Sequence, residues 1–211
     1  MIEQGTQAWL EARRGKVTAS QVYKLINLKN PEATFSETAL TYMHRLIAER
    51  MGATIEELNL EVLEYGKEQE PYARQAYRNK TDRLVFDAPF RTLSGHGYVG
   101  ASPDGLSFEN DDPLENPYLG QEIKCPVKEE KHVAYMLGKM PKEYYAQMQL
   151  NMLVHNVDKW DFISYHPNFK DKSLFITTVD ADKEYQKIML DRCIRFEKEL
   201  QEKLTQLREA A

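Results

Sequence analysis

Apolar residues recur along the chain at two spacings, and the places where one gives way to the other mark its elements. Trp9 and Leu10 precede Arg13 and Arg14 before Gly15 interrupts a helical pattern. Thr18 with Gln21 three residues on reads as a capping box for a helix through Val22, Leu25 and Ile26, with Ser20 in its first turn. Asn30-Pro31 marks a loop, and Leu40, Met43 and Ile47 predict a second helix starting after Ser36. A third helical region covers Ile55 to Tyr77, where Gly66 and Pro71 predict a bend or restart. The period then shortens. Arg83–Phe86 and Gly97–Ala101 read as strands, followed by the turn-like Ser102-Pro103-Asp104-Gly105. Beyond the polar Asn110-Asp111-Asp112, a strand from Tyr118 to Cys125 is ended by Pro126. Tyr145, Met148 and Met152 predict a helix over Lys142–His155. Two strands come next, Trp160–Tyr165 and Ser173–Val179, joined as a hairpin. A last helix at 181–207 carries the stripe Met189, Cys193, Phe196, Leu200, Leu204 and Leu207 and is expected to dock on the core. This order predicts an α/β fold with a mixed central sheet flanked by helices, as one domain over 1–211.

Composition changes this picture little. With 42% hydrophobic and 29% charged residues and no repeated unit, the 211-residue chain reads as ordinary folded protein, neither disordered nor a solenoid. Two cysteines, Cys125 and Cys193, supply no disulfide framework and no zinc spacing. The first residues lack a basic segment followed by an apolar one, and no window approaches about 18 apolar residues, so the expected location is cytoplasmic, with no membrane partner. A formal net charge of -5 argues at first against a polyanionic partner. That objection concerns the average surface, whereas nucleic-acid binding depends on local Lys/Arg placement and on cations that offset carboxylates. Lys128, Lys131, His132, Lys139 and Lys142 either line such a path or, given Glu129, Glu130 and Glu143 among them, form an ordinary charged surface. No Walker phosphate loop is present, so ATP-driven movement is not expected.

The chemistry centres on one strand. Glu122 and Lys124 fall on the same face of it, while Ile123 and Cys125 point to the other. If Asp104 approaches that face, two carboxylates and the Ile123 carbonyl can hold an oxygen-loving divalent cation, and Lys124 can reach a phosphate or its attacking water. Such a site suits Mg²⁺, with Mn²⁺ as a substitute, better than zinc, which recruits sulfur or imidazole. The competing reading is a strand face that meets water, with Asp104-Gly105 as a routine turn.

Pro103-Asp104, followed after 17 residues by Glu122-Ile123-Lys124, resembles the signature of the PD-(D/E)xK nuclease superfamily. Gly66-Lys67-Glu68-Gln69-Glu70-Pro71, Gly100-Ala101-Ser102-Pro103-Asp104-Gly105 and Tyr144-Tyr145-Ala146-Gln147-Met148-Gln149 stand around it in order. Together with Gln4-Gly5 and Trp9 they resemble the YqaJ-type viral recombinases, the lambda-type exonucleases, over most of the chain.

The resemblance implies a restriction-endonuclease-like fold, Asp104 and Glu122 as metal ligands, Lys124 as the catalytic lysine and Glu70 as a carboxylate from the preceding helix. Gly66, one turn before Glu70, is a place for close approach. Gln147 is implied to lie close to the site or its DNA, with Tyr144 as its neighbour on the substrate; both are equally at home on a solvent face. Arg13, or Arg14 beside it, with Ser20 and Ser102, resembles a 5′-phosphate pocket, for which a forked cation and small hydroxyls are suited. The implied function is a 5′ to 3′ exonuclease of double-stranded DNA that releases mononucleotides, leaves 3′ single-stranded tails, assembles as a homotrimer and works beside a single-strand annealing protein. An endonuclease with the same core and a non-catalytic DNA-binding recombination scaffold are the alternatives.

Overall fold

In the computed structural model the described residues are 4–53 and 60–210, with side chains in the second segment described from 64 onward. Helix α1 (Gln7–Arg13) is capped by Thr6, whose side chain accepts from the Trp9 amide. The chain reverses at Gly15, φ +65°, and enters the short strand β1 (Val17–Thr18). Here the expected capping box fails. Thr18 pairs with Gly100 in a parallel ladder, so its backbone is extended, and the Gln21 amide bonds to the Thr18 carbonyl at 2.9 Å. In place of the expected helix stands a single 3-10 turn at Val22–Leu25 with no side-chain cap, and Ser20 lies before it in a turn.

Helix α2 (Glu37–Arg50) starts at Ser36, whose hydroxyl accepts from the Ala39 amide. Helix α3 (Leu60–Thr81) then runs unbroken through Gly66 and Pro71, against the predicted bend; the expected start at Ile55 lies outside the described residues. Two facts account for its continuity. Pro71 is exposed, so water can satisfy the carbonyl that lacks its amide partner. Beyond it Ala73 and Tyr77, both 0% exposed, pack with Ile123 and Ile163, and tertiary packing overrides local propensity. No close approach occurs at Gly66 among the described residues, where an added Cβ would meet nothing within 4 Å.

Strands β2 (Arg91–Leu93) and β3 (His96–Ala101) form an antiparallel pair, and with β1 they make a three-stranded sheet ordered β1-β3-β2. Strands β4 (Gly105–Phe108), β5 (Pro117–Lys124), β6 (Lys159–Tyr165) and β7 (Leu174–Asp180) form a second sheet in that order. The mixed pairing expected of one central sheet is thus divided between two. The predicted strand Arg83–Phe86 is reduced to one bridge, Phe86 to Leu106, since Pro89 soon follows and cannot donate to a ladder.

β5 and β6 run parallel, with Glu122 opposite Phe162 and Lys124 opposite Ser164. A parallel pair requires a crossover, and α4 (Glu129–Met136) and α5 (Lys142–His155) supply it. Of these, α4 was not legible in the apolar pattern. Helix α6 (Lys183–Glu209) is capped by Asp182 and puts Met189, Cys193, Phe196, Leu200 and Leu204 into the core beside Val99, Tyr42 and Leu46, whereas Leu207 is exposed. Among the described residues, no helix is long and apolar enough to cross a membrane.

Candidate active site

Asp104 lies in the short link between β3 and β4, and β5 carries Glu122 and Lys124. A hydrogen bond fixes the link to the strand: the Ile123 amide donates to Asp104 Oδ2 at 2.7 Å. The Ile123 side chain and Cys125 turn into the cluster under α3, as strand alternation demands. That leaves Glu122 and Lys124 together on the opposite face.

Glu122 is 0% exposed, yet it carries a carboxyl group. The Lys124 ammonium contacts its Oε1, and its Oε2 has no donor among the described residues. Burial first, and the neighbouring Asp104 second, push the Glu122 carboxyl up to about 8 against the pull of Lys124. Lys124 responds in kind: burial opposes its charge, but Glu122 and Asp104 together raise its pKa above the ordinary lysine value.

Glu70 arrives on α3, half-buried, and Arg74 one turn on donates to its Oε1 at 2.9 Å. Burial and then Asp104 raise the Glu70 pKa, while Arg74 lowers it. Asp104 and Glu70 both act on Glu122, so three carboxyl groups lie close together. Among the described residues no three His, Cys, Asp or Glu side chains gather tightly enough to enclose a metal by themselves. The donor set that is present nevertheless fits Mg²⁺. A buried carboxylate oxygen without a donor, a second carboxylate beside it and a strand carbonyl are hard oxygen ligands, and Mg²⁺ keeps its remaining positions for water and phosphate.

The floor beside Lys124 is aromatic. Its Nζ lies 4.9 Å from the centre of the Tyr144 ring, and Tyr144 stacks on Phe162 at 5.9 Å. Tyr135 from α4 meets both rings edge-on. Tyr144, read from the sequence as a substrate contact, is therefore in the first place a support for the lysine. Gln147 is half-buried one turn along α5 from Tyr144, on the same side of the helix. Tyr135, Phe162 and Arg74 were missed by sequence reasoning. Only Arg74 left a signal, its four-residue spacing from Glu70.

At the other end of the Asp104 link, Trp9 joins two candidate phosphate ligands. The Arg13 guanidinium lies 3.9 Å over its ring, and its indole N–H donates to Ser102 Oγ at 2.8 Å. Burial pulls Arg13 down to about 10, against the longer-range pull of the Glu49 carboxylate, which leaves it charged near neutral pH. Arg14 is instead engaged with Glu11 and the Ala53 carbonyl. Ser20 is half-buried, two positions past Thr18, just as Ser102 is two past Gly100, the partner of Thr18. The parallel pairing thus sends both serines out of the same end of the sheet.

One member leaves the basic cluster. His132 is 0% exposed, bonded to Ser164 Oγ and the Lys172 carbonyl, and burial lowers its pKa, so it adds no positive surface. Lys128, Lys131, Lys139 and Lys142 lie outside the core.

Comparison with known proteins agrees with the order of these motifs. The pattern of the YqaJ-like viral recombinase domain matches residues 8–158. The alkaline exonuclease LHK-Exo from Laribacter hongkongensis is similar in structure, with a TM-score of 0.84 and 29% identity over 97% of this chain and 97% of that one. Its complex with dAMP gives 0.83 and 30% over 97% of each. A phage related exonuclease from Haemophilus somnus 129PT, at 13% identity and a TM-score of 0.74 over 91% of this chain and 96% of that one, shows the same fold. No curated protein matches the chain in sequence. With the match covering well over half its length, and Asp104, Glu122 and Lys124 gathered as the motif order implies, the chain belongs to the YqaJ-like viral recombinase domain family.

Proposed function

We propose that this chain is a Mg²⁺-dependent exonuclease of double-stranded DNA, running 5′ to 3′, releasing mononucleotides and leaving a 3′ single-stranded tail for recombination. The observation that carries this reading is the buried Glu122, with one oxygen lacking a donor among the described residues, between Asp104 and a charged Lys124. Family membership and likeness to an alkaline exonuclease support the DNA substrate and attack from an end. That LHK-Exo was solved with dAMP supports mononucleotide release.

Asp104, Glu122 and the Ile123 carbonyl would hold the ion, which supplies Lewis-acid polarisation and charge neutralisation when bound. Lys124, kept charged by its two acidic neighbours, donates to the attacked phosphate and offsets the charge that grows on it. The Tyr144 ring limits where its ammonium can go. Glu70 and Gln147 border the reacting phosphate and orient water. Arg13, Ser20 and Ser102 receive the terminal 5′-phosphate: a charged guanidinium laid over Trp9, which also bonds Ser102, is a ready site for a dianion.

The family resemblance supplies the rest of the proposal: a cytoplasmic homotrimer whose ring keeps DNA near the site, acting with a single-strand annealing protein. A closed ring reuses one interface without leaving an open end, and puts basic side chains inside while the subunit stays acidic overall. Light scattering should give three subunit masses; a persistent monomer would sink the ring.

The decisive assay uses linear and closed-circular duplexes with separately labelled ends, with Mg²⁺ or a chelator. Linear DNA bearing a 5′-phosphate should be degraded to mononucleotides from that end, only with metal, and faster than its 5′-hydroxyl counterpart. Arg13→Ala should remove most of that preference. Cutting of closed circles would instead assign an endonuclease, and metal-independent binding without cleavage a scaffold.

A further inference from the structure

Arg74 has more partners at the candidate site than a surface arginine needs. Its guanidinium donates to Glu70 Oε1 from Nε at 2.9 Å, and Nη2 stands 2.8 Å from the same oxygen. Nη2 also donates to the main-chain carbonyl of Asp104, 30 positions along the chain, and lies 3.0 Å from Asp87 Oδ1. One rigid planar group therefore touches α3, the Phe86 to Ala88 link and the turn that carries Asp104.

We infer that Arg74 is a positioning residue of the metal-dependent site, tying the Glu70 carboxylate to the Asp104 main chain so that both are set as one unit. The inference rests on the metal-dependent reading above. With this tie Asp104 is held at two points, its carbonyl by Arg74 and its Oδ2 by the Ile123 amide, leaving Oδ1 as its remaining oxygen. Without it, Glu70 is a half-buried carboxylate on a helix side chain with several free torsions, and Asp104 keeps a single anchor. Mg²⁺ demands near-octahedral oxygen geometry and tolerates little ligand scatter, so loss of outer contacts acts on the ion.

The pair with Asp87 contributes little, because that carboxylate is 81% exposed. The weight falls on Glu70 and Asp104. Lysine is a poor substitute: one ammonium can pair with Glu70, but it lacks the planar fork that also reaches the Asp104 carbonyl.

The test compares wild type with Arg74→Met and Arg74→Lys in three measurements: Mn²⁺ binding to the DNA-free protein by electron paramagnetic resonance, kcat and KM on a 5′-phosphorylated linear duplex, and the thermal midpoint. Arg74→Met should bind Mn²⁺ about tenfold more weakly and lose about 100-fold in kcat, with KM for DNA unchanged and the fold intact. Arg74→Lys should recover part of both. A folded Arg74→Met with wild-type Mn²⁺ affinity and kcat overturns the assignment. Should Arg74→Met not fold, Arg74→Lys decides, and wild-type values there overturn it equally. A wild-type protein that binds no Mn²⁺ and cleaves without metal would instead sink the metal-dependent reading itself.

Discussion

Lys124→Met is expected to lower turnover on a linear 5′-phosphorylated duplex by about a thousandfold or more, within the range typical of losing a positioned charge at a reacting phosphate. The side chain does little for the fold: it is a quarter exposed and rests against the Tyr144 ring and Glu122. Its removal need not strand a bare charge in the interior. Glu122 is already pushed up to about 8, by burial and then by Asp104, and near neutral pH it can take up a proton once its cation is gone. The variant should therefore keep the wild-type circular dichroism and bind DNA while failing to cut it. Asp104→Asn should fail in the same assay for a different reason, the loss of a charged oxygen ligand. Retention of more than a tenth of wild-type kcat by both variants in saturating Mg²⁺ would remove Asp104 and Lys124 from the chemistry.

The largest expected effect on stability lies two residues before Glu122. Gly120 is a strand glycine over which the Trp160 ring is laid, and an added Cβ would fall 2.1–2.3 Å from three ring carbons. Trp160 is 0% exposed and packs with Met148, Met152 and Phe162, so it has nowhere to move. Gly120→Val should cost about 3 kcal/mol or more, the upper end for overpacking a tight core. Gly120→Ala should cost somewhat less, and combining it with Trp160→Phe should destabilise by less than the sum of the two single changes, because the smaller ring makes room. Urea unfolding followed by fluorescence and circular dichroism measures all of these. A Gly120→Ala protein within about 0.5 kcal/mol of wild type would show that the ring can tilt away, the outcome ordinary for unconstrained sites. The prediction bears on function, since Gly120 and Glu122 share a face of β5 and a shifted Trp160 displaces the strand that holds the candidate ligands.

Much of this arrangement was legible along the chain. Ser36 with its stripe gave α2, Lys142–His155 gave α5 to the residue, and the apolar stripe of α6 went into the core through Leu204. The pairing of Glu122 with Lys124 on one face, and of Ile123 with Cys125 on the other, comes from a two-residue period that no distant contact can alter. These are local properties: the repeat of a helix or strand is carried by residues within a few positions of one another.

What the sequence could not determine depended on partners far along the chain. Thr18 and Gln21 have a capping box's identities, but pairing of Thr18 with Gly100 made the segment a strand. Pro71 ought to interrupt α3, yet the burial of Ala73 and Tyr77 beneath β5 and β6 keeps the helix whole. Close approaches occur not at Gly66 but at strand glycines such as Gly100, Gly105 and Gly120, the last a choice made by Trp160 on the neighbouring strand. His132 looked like one of a row of surface cations until Ser164 and Lys172 enclosed it. At the site, composition names the acids and the lysine, while tertiary structure decides what holds them. Trp9 reaches Ser102 across 93 positions and Arg74 reaches the Asp104 carbonyl across 30, and neither contact has a local period that would announce it. Side-chain chemistry is written in the order of residues, but the burial that shifts Glu122 and the partners that position Glu70 and Asp104 exist only once the two sheets and α3 have packed together.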